Sequence, residues 1–278
     1  MALTMTPLSA AIGFEVSGLD LRAPVSPKDK KSLNDALAEK LLLVFRDQSL
    51  APDQFADAVK LFGEPMRQHN SAILMDDNPD IAVLDSGKAP VKPNGKLNPV
   101  GSVTWHTDHT NHAEPPSTTC LYSIALPENG GGDTGFANMQ VAYEKLPDDE
   151  KAELLKLRTV NTFRNRRDFI TDEDIKKFDG EMVHPLIRTH PTTGKKAIYV
   201  HWNQMDRLEG QQSEPSRAFI KDLLERTVQD DIRYRHQWRV GDLVLIDNQG
   251  AMHKAMVDYE PGETRILHRI ILKGGTPF

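Results

Sequence analysis

Apolar positions recur along this chain in two rhythms. Leu33, Leu37 and Leu41 return at every fourth residue, the spacing of one helix face, behind the start signal Ser26-Pro27-Lys28-Asp29. There the serine is an N-cap, the proline suits the first helical position, and an acid follows three residues on. A second helix is expected after Ala51, with Phe55, Ala58, Val59 and Phe62 on one face and Gly63 as its stop. A third follows Pro147 through Leu155, and a fourth covers Ser216 to Thr227. These four read as outer or capping helices.

Between them the pattern shortens to strand-like runs at Leu41 to Phe45, Ile81 to Leu84, Thr118 to Ile124, Ala197 to Val200, Ile232 to Trp238, Leu243 to Ile246 and Arg265 to Leu272. Leu186 to His190 and Lys196 to Val200, bridged by Pro191-Thr192-Thr193-Gly194, form an expected β-hairpin. Strands and helices do not alternate regularly, which disfavours a doubly wound sheet or a barrel of βα units. The expected class is therefore mainly β with flanking helices, a double-sheet barrel. Ser86 to Ser102, rich in proline and glycine and poor in apolar residues, reads as a long loop of the kind that often lids a site. With no internal repeat or change of composition, residues 1–278 are expected to form one domain.

Composition narrows the function. A hydrophobic fraction of 38% is that of an ordinary globular chain, neither disordered nor membrane-embedded. No apolar run approaches the roughly 18 residues needed to cross a bilayer, and the uncharged stretch from Met1 to Ile12 lacks the basic start of a signal peptide. One cysteine, Cys120, excludes a disulfide framework and a Cys-based zinc module, so a metal would need His and carboxylate ligands. A cytoplasmic setting is expected. The net charge of −6 and the lack of a basic block beyond Arg164, Arg166 and Arg167, read as a solvated turn, argue against nucleic acid as partner.

The chemistry concentrates in Trp105-His106-Thr107-Asp108 and, far downstream, Asp247 to His253. If the first segment is a strand, His106 and Asp108 project to one side and share a metal, with His253 completing the face. Two histidines and one carboxylate on one face of an octahedron leave three open positions, as in non-haem Fe(II) oxygenases. Arg265 and Arg269 follow on a strand whose two faces are otherwise apolar. Buried arginine needs an acidic partner, and its fork matches a carboxylate, so a diacid cosubstrate is expected there. Gly130-Gly131-Gly132-Asp133-Thr134 lacks the features of a phosphate loop and reads as a turn, with Thr134 able to offer a hydroxyl to an anion.

Taken together, these segments resemble the taurine dioxygenase / 2,4-dichlorophenoxyacetate dioxygenase family of Fe(II)- and 2-oxoglutarate-dependent oxygenases. The likeness also takes in Ile12 to Leu21, Val44-Phe45-Arg46-Asp47-Gln48, His184-Pro185 to Pro191, and Gly241-Asp242-Leu243 through Arg269. It implies a double-stranded β-helix, or jelly roll. It implies that His106, Asp108 and His253 ligate Fe(II), that Arg265 and Thr134 bind the distal carboxylate of 2-oxoglutarate, and that Arg269 pairs with an anionic substrate. The implied reaction consumes O2, hydroxylates a C–H bond, sometimes with cleavage of a carbon–heteroatom bond, and releases succinate and CO2.

Met66 to Ser102 matches that family poorly, so the substrate is not inherited from it. A small sulfonate or carboxylate, taurine-like or aryloxyalkanoate, is expected from Arg269, with His69, Ser102 and Phe163 as candidate contacts and His201, Trp202 and Gln204 as further pocket candidates. The chain is expected to act as a homo-oligomer, with no membrane or nucleic-acid partner. Two other classes share the triad: a zinc hydrolase, which would not need Arg265 and Thr134, and a non-catalytic jelly-roll binding module.

Overall fold

Extended segments dominate the computed structural model, which describes residues 2–68, 70–88, 101–163, 173 and 180–278. The first part of the chain holds β1 (Thr4–Pro7), β2 (Phe14–Ser17), α1 (Pro27–Lys40), β3 (Leu42–Phe45), α2 (Pro52–Val59), β4 (Pro65–Met66) and β5 (Ala82–Asp85). Then come β6 (Thr118–Ala125), β7 (Thr134–Asn138), α3 (Met139–Glu144), α4 (Asp148–Leu154), β8 (Arg158–Thr162), β9 (Glu181–Pro185), β10 (Ile187–Thr189), β11 (Lys196–Ile198) and β12 (Met205–Leu208). The last part holds α5 (Ser213–Thr227), β13 (Arg233–His236), β14 (Leu243–Asp247), β15 (Ala251–Ala255) and β16 (Ile266–Leu272).

The large sheet runs β1-β2-β3-β14-β6-β16-β4, with β5 also on β16, and every pair except β2–β3 is antiparallel. A smaller antiparallel sheet, β13-β7-β15, lies across from it. The side-chain period of two divides the large sheet cleanly. Leu43, Phe45, Cys120, Tyr122, Leu243, Leu245, Ile270 and Leu272 pack outward beneath Leu33 and Leu37 of α1 and Phe55 and Val59 of α2. Their neighbours Leu42, Val44, Leu121, Val244, Ile246 and Leu267 turn inward and meet Phe136, Trp238 and Ala251 from the smaller sheet. Each such side chain contributes roughly 1.5–3 kcal/mol by leaving water, so a one-residue slip of β14 would exchange both layers. On the far side α3, α4 and α5 cover the smaller sheet through Met139, Leu154, Ile220 and Leu223. This is a jelly roll with helices on both outer faces.

The helix start at Ser26 forms as its chemistry requires, the serine hydroxyl accepting the Asp29 N–H at 3.1 Å. Leu41, expected to begin a strand, instead ends α1 in the left-handed region at φ 64°, its N–H returning to Leu37. The expected hairpin is β10–β11, paired Arg188 to Ala197. The strands that the sequence pattern does not announce include β7 and β15, whose sequences Thr-Gly-Phe-Ala-Asn and Ala-Met-His-Lys-Ala carry polar and small residues because they border the site. Most of the expected loop from Ser86 to Ser102, the cluster Arg164, Arg166 and Arg167, and His69 lie outside the described residues. Among the described residues no helix is long and apolar enough to cross a membrane.

Candidate active site

The site is assembled by a backbone bridge rather than by a strand. The sequence pattern puts His106 and Asp108 on a strand, but no named strand contains them. His106 instead makes an isolated antiparallel bridge to His253 on β15, with reciprocal N–H to carbonyl bonds of 3.1 and 2.8 Å. A second bridge joins it to His201, and the Thr107 N–H donates to Val200. The bridge sets the His106 and His253 rings 4.1 Å apart and turns the Asp108 carboxylate between them. Asp108 lies 3.7 Å from His106 Nε2 through one oxygen and 3.9 Å from His253 Nε2 through the other. These separations are too long for direct hydrogen bonds and suit three ligands around one cation. The three ligand atoms lie within 4.8 Å of one another, and all three residues are buried.

The donor set fits a divalent ion. His106 Nδ1 lies 2.9 Å from the Thr104 carbonyl, which assigns its proton there and leaves the Nε2 lone pair on the Asp108 side. Burial lowers the His253 pKa despite the pull of Asp108, a shift toward the neutral imidazole that a metal ligand must be. For Asp108 burial works against ionisation, yet His253, Arg269, His106 and His109 outweigh it and hold the carboxyl well below its usual range. Behind the carboxylate, Thr119 donates its hydroxyl to Asp108 Oδ2 at 2.5 Å and accepts Asn248 Nδ2 at 2.8 Å. Asn248 Oδ1 accepts the Asp108 N–H at 3.3 Å, and its backbone carbonyl accepts the Thr107 hydroxyl at 2.6 Å. Nothing in the sequence singles out Thr119 or Asn248, although Asn248 lies inside the Asp247–His253 segment.

Arg265 sits just before β16 and is 5% exposed, yet no carboxylate among the described residues lies within ion-pair distance of it. Its Nε donates to the Gly132 carbonyl at 2.6 Å and one terminal nitrogen to Thr134 Oγ1 at 3.4 Å. Thr134 also accepts the Trp238 indole N–H at 3.0 Å, so its oxygen serves two donors while its own proton has no acceptor among the described residues. Burial lowers the Arg265 pKa, and Tyr259, Asp133 and Asp258 only partly oppose it. A guanidinium and a hydroxyl short of acceptors are the complement of a carboxylate.

Arg269, half-buried on β16, is pinned by Gln68: its Nε donates to Gln68 Oε1 at 2.7 Å, while Gln68 Nε2 donates to the Arg269 carbonyl at 2.9 Å. The Ser102 hydroxyl meets Thr104 Oγ1 at 2.9 Å and Asn203 Nδ2 at 3.0 Å, bracing the turn that carries His106. Phe163 is buried just past β8, Trp202 lies under Arg217 at 4.4 Å, and Gln204 accepts the Thr110 hydroxyl at 3.2 Å.

With this geometry in view, the family model of the taurine catabolism dioxygenase TauD, TfdA family matches residues 4–271. The chain belongs to that family. It is 29% identical over 266 residues to the alpha-ketoglutarate-dependent 2,4-dichlorophenoxyacetate dioxygenase of Cupriavidus pinatubonensis, covering 91% of this chain and 92% of the relative. It is 27% identical to the alpha-ketoglutarate-dependent sulfate ester dioxygenase of Pseudomonas putida, covering 100% of this chain and 91% of the relative. The crystal structure of AAD-2 in complex with Mn(II) and N-oxalylglycine superposes with a TM-score of 0.82 at 25% identity, covering 100% and 99% of the two chains. This member of the TauD, TfdA family is thus a 2-oxoglutarate-dependent dioxygenase on a jelly roll, with Fe(II) and O2 as its cofactor and co-reactant. The relatives lend no support to a zinc hydrolase or a non-catalytic module.

Proposed function

We propose that this dioxygenase hydroxylates a C–H bond of a small organic sulfonate, sulfate ester or carboxylate, with His106, Asp108 and His253 holding Fe(II). Arg265 and Thr134 take the distal carboxylate of 2-oxoglutarate, and Arg269 takes the acid group of the substrate. The observation that carries this reading is Arg265, a buried guanidinium beside Thr134 without a carboxylate partner among the described residues. When bound, the iron couples oxidative decarboxylation of 2-oxoglutarate by O2 to hydroxylation of the substrate, giving succinate and CO2.

The chain's own residues contribute position and charge. Neutral imidazoles and the ionised Asp108 offer three ligands from one side only, leaving the opposite side for small molecules. Thr119 and Asn248 hold Asp108 against rotation. Burial of the triad excludes water and strengthens the electrostatic pull of both arginines. The Gln68 clamp fixes the Arg269 side chain on its strand, and the reach of its charge to Asp108 supports a substrate acid held near the metal ligands. The relatives named for 2,4-dichlorophenoxyacetate, sulfate esters and sulfonates support an anionic substrate. One domain, a cytoplasmic setting and a homo-oligomeric state belong to the same reading. The buried free thiol of Cys120 fits a reducing compartment, and sedimentation would test the assembly.

The test is a screen of taurine, alkylsulfonates, alkyl sulfates, aryloxyalkanoates and their neutral amide or ester analogues, read by succinate release and oxygen uptake. Anionic compounds are expected to stimulate both, and stimulation by neutral compounds alone would overturn the substrate class. Absence of an absorbance change when 2-oxoglutarate is added anaerobically to the Fe(II) protein would overturn the role given to Arg265 and Thr134.

A further inference from the structure

The triple glycine that looks like a plain turn in the sequence forms the floor beneath Arg265. Gly131 and Gly132 adopt φ +86° and +70°, and a Cβ on them would stand 2.5 Å from the Asp258 carbonyl oxygen and 2.8 Å from Arg265 Cδ. Only glycine lets both the Asp258 segment and the arginine side chain lie against these two peptides. Gly132 then joins them: Arg265 Nε donates to the Gly132 carbonyl, and the Gly132 N–H donates to Asp258 Oδ1 at 2.9 Å. Asp133 follows directly in the chain. Asp133 and Asp258 are thus the carboxylates whose charge reaches Arg265.

Neither is spent on it. Arg235, on β13, takes Asp133 Oδ2 with its Nε at 2.6 Å and Asp258 Oδ2 with a terminal nitrogen at 2.6 Å. We infer that Arg235 is a positioning residue for 2-oxoglutarate: by drawing both acids into its own fork it keeps them from serving as the counter-ions of Arg265. This inference rests on the proposed role of Arg265. Without Arg235, two uncompensated carboxylates would neutralise the buried guanidinium from within and repel an incoming dianion. Arg235 is half exposed, so its effect is moderate and sensitive to salt.

Calorimetric titration of 2-oxoglutarate into the Mn(II)-loaded protein tests this, alongside kcat and the KM for 2-oxoglutarate of the Fe(II) enzyme. Arg235→Gln is expected to weaken binding about tenfold at low salt, with kcat at saturating 2-oxoglutarate nearly unchanged. The deficit shrinks as salt is raised, and Arg235→Lys recovers most of it. The triple variant Arg235→Gln, Asp133→Asn, Asp258→Asn removes all three charges, while the amide oxygen introduced at position 258 can still accept the Gly132 N–H. It is expected to bind as wild type does. Equal binding by wild type and Arg235→Gln overturns the inference alone. So does a triple variant as weak as Arg235→Gln, which would make Arg235 a mechanical tether. A wild-type protein that binds no 2-oxoglutarate overturns the role of Arg265 itself and this inference with it.

Discussion

Arg46 and Arg265 are both largely buried, and they are completed in opposite ways. Arg46 reaches Asp242 at 2.5 Å and Glu15 at 3.1 Å, and the same Asp242 oxygen receives His236 Nε2 at 3.1 Å and the Arg239 N–H at 2.8 Å. Its charge is answered inside the fold. Arg265 has a carbonyl and a shared hydroxyl but no acid among the described residues. The metal triad belongs with Arg265, since Asp108 is shared between two rings at separations too long for hydrogen bonds. A closed cluster stabilises the fold, whereas an open one carries a cost that a ligand relieves.

The sharpest way to break this contrast is to remove a ligand. Asp108→Ala is expected to lose Fe(II) and to lower substrate-dependent succinate release by at least about 10²-fold, since even partners behind a ligand are worth roughly 10–100-fold. Chelation should do the same reversibly. Metal content and turnover measured together check it, and retained iron with full turnover would remove Asp108 from the centre.

The two arginines themselves come next. Arg46→Met leaves the fully buried Asp242 carboxylate with only His236 and the Arg239 N–H, and should cost about 3–5 kcal/mol in denaturant unfolding, with metal affinity unchanged. Arg265→Met removes a buried charge that has no acid but also its bonds to Gly132 and Thr134, so it should cost far less stability than Arg46→Met while abolishing 2-oxoglutarate binding. If both variants destabilise equally, the division into closed and open clusters fails.

How much of this is legible in the sequence follows from where each signal resides. Leu33, Leu37, Phe55 and the alternating leucines of β14 announce themselves because burial against a helix or sheet imposes a period. His106, Asp108, His253 and Arg265 are legible because few residue types can do their chemistry. The local geometry of His106 is not, because its position is set by bridges to two distant segments. Thr119, Asn248, Gln68 and Arg235 act through partners distant in the chain, and nothing local in their sequence differs from an ordinary polar position. β7 escapes notice since Thr134, Gly135 and Asn138 suit a site border better than a strand.

A smaller effect is expected from Asn248→Ala. It removes the acceptor of the Asp108 N–H and the donor to the Thr119 oxygen, so the carboxylate keeps its charge and its Thr119 bond but is held less firmly. Metal affinity should fall about 10–100-fold by competition with a chromophoric chelator, and unfolding of the metal-free protein should shift far less than for Arg46→Met. A drop in stability without a drop in affinity would place Asn248 in the closed class.

The smallest expected effect is on pH dependence, and it separates the clusters without touching a ligand. Burial lowers the pKa of His236 below its ordinary 6.5, Asp242 opposes that shift, and Arg46 adds to it. His112 is likewise lowered, to about 4, by burial and by the charge of His184. As pH falls below about 6.5 the unfolded chain therefore takes up these protons before the folded one does. Stability is full above that pH, declines through the interval toward about 4, and levels off once the folded state is protonated as well. His236→Gln removes one of these groups, so the slope of melting temperature against pH over this interval should become shallower, whatever the variant does to stability at pH 7. A slope identical to wild type over this interval, together with a loss of wild-type stability as pH rises above about 6.5 that His236→Gln lacks, would mean that His236 is already protonated in the folded protein. The Asp242 cluster would then be held by two cations, Arg46 and His236, and its closure would depend on pH in the opposite sense.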